Sequence, residues 1–198
     1  MKTLSTLSVL LLLGLAACAQ GPTLPVPFQG EVVAVSPDDP DYPRAALSAA
    51  VKPAGEGGVV EGQVVRTTQD IPVYRLWSGP ASVDANGRTN RIGSWWSPGS
   101  PHGPAAQYRT DYEICHAWNA LTWVARCTLK KGAVVAIGPG QSVSAQTCQD
   151  PSGQEHYPAD FAHWQIYVDK VWARPQELTC EPEAEDYQAD PEDVARRK

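Results

Sequence analysis

Three polar side chains interrupt otherwise apolar, strand-like runs, and their types suit small-molecule chemistry. Arg75 stands in Val73-Tyr74-Arg75-Leu76-Trp77, Ser94 in Gly93-Ser94-Trp95-Trp96-Ser97, and Gln165 in Trp164-Gln165-Ile166-Tyr167-Val168. A guanidinium presents a rigid fork of donors that matches a diphosphate. A hydroxyl beside flat indole faces, here Trp95 and Trp96, orients an amide-bearing ring. An amide carbonyl is a neutral acceptor for positive charge. Each residue also has a plainer role. Arg75 can stack on tryptophan and pair with Asp84 or Asp111, Ser94 can cap a turn, and Gln165 can face solvent from a strand. Gln141, in the sharp turn Gly138-Pro139-Gly140-Gln141-Ser142, competes with Gln165. Gln165 is preferred because it lies mid-strand. Ser97, His102 and Asp111 form a triad only on paper, since no Gly-x-Ser-x-Gly elbow accompanies them.

These residues need strands to hold them. Residues 71–77 alternate as a strand, with Val73, Arg75 and Trp77 on one face. Residues 78–90 form a polar loop with Gly-Pro and Asn-Gly turn signals. Residues 92–97 are short and aromatic. Helical spacing over 104–119 aligns Tyr108, Tyr112, Cys115 and Trp118. Residues 121–129 read as a strand, Lys130-Lys131-Gly132 as a hairpin turn, and 133–137 as the returning partner, broken by Gly138-Pro139-Gly140. Residues 161–172 form the last strand. Strands and a helix without βαβ alternation favour a compact α+β fold of split antiparallel sheets with one or two helices.

The order of these motifs resembles the ADP-ribosyltransferase-like fold, and within it the necrotising-toxin type of NAD glycohydrolase. That group carries an arginine after an aromatic residue on a strand, then a short Gly-x-aromatic segment with Ser or Thr. A helix and a hairpin follow, and then a Gln or Glu on a late strand. The resemblance spans about residues 71–171. It implies that NAD is the substrate and that no other cofactor is required. Arg75 would hold the diphosphate, and Ser94 with Trp95 or Trp96 the nicotinamide. Gln165 would face the ribose, whose bond cleaves through an oxocarbenium-like state. Most transferases of this fold use glutamate. A carboxylate about 4 Å from a unit positive charge contributes around 4 kcal/mol at an effective dielectric of about 20. A neutral amide contributes less and cannot deprotonate an acceptor, so hydrolysis is favoured over transfer. Glu113, on the expected helix, and Glu155, in a polar loop, are the nearest carboxylates and poor substitutes. Tyr108, Arg109, His116 and His163 read as structural or surface residues.

The beginning of the chain says where this happens. Lys2, an apolar run and small residues precede Cys18, the pattern of a secretory signal. Leu15-Ala16-Ala17-Cys18 resembles the lipobox of bacterial lipoproteins, which implies lipidation of Cys18 and a membrane anchor in the cell envelope. Ala19 in place of a retention aspartate implies the outer membrane or cell surface. The other cysteines, Cys115, Cys127, Cys148 and Cys180, suit two disulfides in an exported domain. Of three pairings, the sequential closures Cys115–Cys127 and Cys148–Cys180 are expected. No Cys-x-x-Cys pair occurs and the 4 histidines show no ligand spacing, so no metal site is expected. The net charge of −6, without a basic stripe, argues against a nucleic-acid partner. The expected organisation is a signal peptide over 1–17, a Pro/Gly-rich tether over 18–58, a domain over 59–180 and an acidic disordered tail over 181–198. Two further classes remain beside the enzyme: an envelope lipoprotein that binds a small ligand or a protein partner through the same fold, and a structural domain without a pocket. Convergence of Arg75, Ser94 and Gln165 on one cleft separates the last from the others.

Overall fold

A computed structural model describes residues 24–198. Cys18 and the expected signal peptide over 1–17 lie outside the described residues. Among these residues the fold is α+β, with two antiparallel sheets and two short α-helices. The first sheet runs β1 (Val32–Ala34), β2 (Gln63–Thr67), β6 (Val134–Gly140), β7 (Asp160–Tyr167) and β4 (Trp95–Trp96) in spatial order. The second runs β10 (Asp193–Arg197), β9 (Tyr187–Asp190), β5 (Trp123–Leu129) and β3 (Ile71–Trp77), with β8 (Leu178–Cys180) also paired to β5. The helices are α1 (Leu47–Ala50) and α2 (Ala105–Asp111).

Sequence alternation explains the packing. On β6, Val135 and Ile137 face a core shared with Val73, Cys127 and Leu129 of the second sheet, so the two sheets pack face to face there. Val134 and Ala136 point the other way and are covered by Val35, Ala45, Ala50 and Val59. Every residue of β6 is buried. An apolar run of this kind demands cover on both faces. That demand overturns the tether: residues 26–50 carry 3-10 turns, β1 and α1, with Phe28 and Val32 packed in the core between the sheets and Val35, Ala45 and Ala50 helping to cover the outer face of β6. Phe28 is fully buried.

The expected disordered tail is also corrected. It forms β9 and β10, and Ala189 and Val194 pack with Leu76, Leu121 and Val124. A buried ion pair, Arg91 Nε to Asp186 Oδ2 at 2.6 Å, fastens the tail to the 90–93 loop.

The expected hairpin at 130–132 is instead a crossover between sheets: β5 pairs with β3, and β6 pairs with β2 and β7. The turn is held by Thr67, whose Oγ1 donates to the Lys130 carbonyl at 2.6 Å, and by Lys130 N–H donating to the Glu177 carbonyl. Strand β6 continues through Pro139, with a register shift at Gly140. Strand β7 is followed by three more strands and so is not the last.

The disulfides are Cys115–Cys148 and Cys127–Cys180, not the sequential closures. Cys127 and Cys180 are direct partners in the β5–β8 register, which no sequence spacing reveals. The disulfides suit an oxidising compartment outside the cytoplasm. No helix among the described residues is long and apolar enough to cross a membrane.

Candidate functional site

The helix expected over 104–119 stops early, and this builds the site. Glu113 adopts a left-handed backbone, φ 47°, directly after the α2 cap at Tyr112. The following segment, tied down by Cys115, becomes one wall of a cavity of about 380 Å³. The other walls come from β3, β4, α2 and β7. Arg75, Trp95, Trp96 and Gln165 all line it. Four of the five proposed ligand-contacting residues therefore converge.

Ser94 does not. It precedes β4, is absent from the cavity wall, and its carbonyl accepts from Val168 N–H at 2.8 Å. Ser97 lines the cavity in its place, because Trp96 pairs with Ile166 and brings the strand's far end to β3. Ser97 Oγ accepts from the Tyr108 hydroxyl at 3.2 Å.

Arg75 has no carboxylate partner among the described residues. Asp84 pairs with Arg88, and Asp111 faces Gln107 and His163. Instead the guanidinium donates from Nε to the Asn90 carbonyl at 3.1 Å and from Nη1 to the Trp95 carbonyl at 2.9 Å. It lies flat on Gly93, where a Cβ would come within 2.7 Å of Cζ. Nη2 has no protein acceptor and is not among the sealed polar atoms, which leaves it open to the cavity. Burial lowers the Arg75 pKa to about 10, so it stays charged at neutral pH.

Gln165 Nε2 donates to Glu113 Oε2 at 3.1 Å and to the Tyr112 carbonyl at 3.4 Å. Its Oε1 accepts nothing from the protein and is not sealed. Gln141, the competitor, is fully used elsewhere. It donates to the Lys52 carbonyl and accepts from the backbone and hydroxyl of Ser142.

Glu113 is the residue that sequence reasoning set aside. It is 2% exposed and lines the cavity. Burial pushes its pKa up to about 9, with the nearby carboxylates of Asp160 and Asp111 adding to the rise against hydrogen bonds from Asp160 N–H and Gln165. It is therefore neutral at pH 7. Nothing in the sequence around it signals this, since only the fold brings Gly140 and Asp160 beneath its carboxyl. Glu155 stays outside and accepts from the His116 backbone at 2.6 Å. Tyr108 and Tyr112 also join the cavity, and burial raises the Tyr108 pKa to about 12. The cavity thus holds one cation, Arg75, and a neutral acid. It favours an anionic ligand, and aromatic residues, Tyr74, Tyr108 and Tyr112 among them, stand in its walls. No family model, curated protein or solved structure matches this chain.

Proposed function

We propose that this protein is an exported enzyme that cleaves NAD at the nicotinamide–ribose bond, by hydrolysis. We also propose that it is lipid-anchored through Cys18 in the cell envelope and that its fold is ADP-ribosyltransferase-like. The observation that carries the reading is the Arg75 guanidinium, unpaired by any described carboxylate and sharing a cavity with the open Gln165 oxygen. Arg75 takes the diphosphate, and Trp95 or Trp96 takes the nicotinamide. Gln165 Oε1 faces the ribose as positive charge develops on it. Hydrolysis is preferred to transfer because Gln165 is neutral and Glu113 holds its proton at pH 7, leaving no described base in the cavity to activate an acceptor. Small molecules of the NAD type are the partners, and the charge pattern still argues against nucleic acid.

One observation favours a second reading. Ser94, which the enzyme reading assigned to the nicotinamide, lies outside the cavity. A non-catalytic envelope lipoprotein would use the same cavity to bind an anionic ligand. The two are separated by incubating the purified, oxidised protein with a fluorogenic NAD analogue and following nicotinamide release, beside Arg75→Ala. Release that disappears in the variant supports the enzyme. Retained binding of ADP-ribose without any release leaves the binding module.

A further inference from the structure

The amide of Gln165 has two nearly isosteric ends, and only one of them suits a site that meets positive charge. With oxygen facing the cavity the amide stabilises a ribosyl cation; with NH2 facing the cavity it repels one. The protein must therefore fix the amide's sense.

We propose that Glu113 is a positioning residue for Gln165, holding its NH2 away from the cavity so that its oxygen faces the ligand. The catalytic consequence rests on the NAD-cleaving reading. Two contacts set the sense. The Tyr112 carbonyl can only accept, so the Gln165 group 3.4 Å from it must be NH2. The same Nε2 donates to a lone pair of Glu113 Oε2 at 3.1 Å, so the proton of the neutral carboxyl is not between them. Glu113 is itself locked: Oε1 accepts from Asp160 N–H at 2.9 Å, and its carboxyl occupies the space that any side chain at Gly140 would fill. Flipping Gln165 would set its oxygen against the Tyr112 carbonyl, leaving two acceptors face to face in a buried place. The left-handed turn at Glu113 is what carries the carboxyl from the end of α2 across to β7.

The test uses the full oxidised protein, as wild type, Glu113→Leu and Glu113→Gln. Side-chain amide exchange of Gln165 is followed by NMR, and NAD cleavage is followed as kcat and KM. In the wild type the Gln165 NH2 pair should exchange slowly. In Glu113→Leu, protection should be lost and kcat should fall about tenfold or more, as for removal of a charge-stabilising donor or acceptor. KM for NAD should stay within about twofold, since Arg75 still binds the diphosphate. Glu113→Gln can offer its one carbonyl oxygen to the Gln165 NH2 or to the Asp160 N–H but not to both, and should recover protection and kcat only in part. A protected Gln165 amide with normal kcat in folded Glu113→Leu overturns the proposal. So does a rise in KM alone, which marks a merely structural wall. Fast exchange of the Gln165 NH2 in the wild type also overturns it, and this arm needs no variant to fold. If the wild type cleaves no NAD, the functional reading fails, while the exchange measurements still decide whether Glu113 sets the amide.

Discussion

Arg75 and Glu113 define the cavity's charge, and each yields a test at its own scale. Replacing Arg75 with alanine removes the one charged donor facing the ligand. A charged hydrogen bond contributes about 1.5–3 kcal/mol, so ADP-ribose affinity should drop about ten- to hundredfold by calorimetry. Unchanged affinity would remove the diphosphate from the reading. Arg75→Lys should recover little, because the guanidinium's two carbonyl contacts and its flat seat on Gly93 need a planar fork. Glu113 makes stability depend on pH. Its native pKa of about 9 lies above the ordinary value of 4.5, so the folded state binds the extra proton. That contribution is complete below about 4.5 and is lost as pH rises toward about 9. Wild-type stability measured relative to Glu113→Gln should therefore fall across this window, by at most about 1.4 kcal/mol per pH unit. Urea titrations at several pH values check it, and a flat difference would mean that Glu113 ionises normally.

Among the elements, the segment from Asp186 to Arg197 serves the site from a distance. It fastens Arg91 through the Asp186 pair, and the Arg91 loop presents the Asn90 carbonyl to Arg75. Breaking a buried pair from one side typically costs about 3–5 kcal/mol. Asp186→Ala should lower the urea midpoint accordingly and also weaken ligand binding. A stable variant with an unaltered midpoint would show that the tail is dispensable. Gly140 has a comparable role on β6. Gly140→Ala pushes a methyl group into the Glu113 carboxyl and should disturb the cavity more than the fold, read as lost ligand binding with a small change in melting temperature.

At the scale of the whole molecule, the described residues form two packed sheets closed by two disulfides. These join residues 33 and 53 positions apart, and the chain-entropy account assigns each about 4 kcal/mol. Their contributions differ in kind. Cys127–Cys180 clamps β8 to β5, whereas Cys115–Cys148 anchors the wall that carries Glu113 and Trp118. Cys115→Ala with Cys148→Ala should therefore depress ligand binding beyond its effect on stability, and Cys127→Ala with Cys180→Ala should depress chiefly stability. Parallel denaturation and binding titrations compare them; equal losses in both pairs would count against the distinction.

Local pattern determined much. The strand at 71–77 appears with the expected bounds, because Ile71, Val73, Tyr74, Leu76 and Trp77 favour an extended, half-buried backbone around the single charged Arg75. Arg75 and Gln165 were visible as polar residues in apolar strands, and the cysteines as bridge partners in an exported domain. The pairing of those cysteines depended on tertiary structure, because β8 reaches β5 across 53 residues of chain. So did the role of the termini. Composition marks 18–58 and 181–198 as tether and tail, yet Val35, Ala45 and Ala50 help cover β6, and Ala189 and Val194 help fill the apolar face of the second sheet. The exclusion of Ser94 and the recruitment of Glu113 followed from register and from one left-handed residue. Both are long-range consequences of packing, and a neutral buried acid cannot be read from a sequence in which glutamate is ordinarily a surface charge.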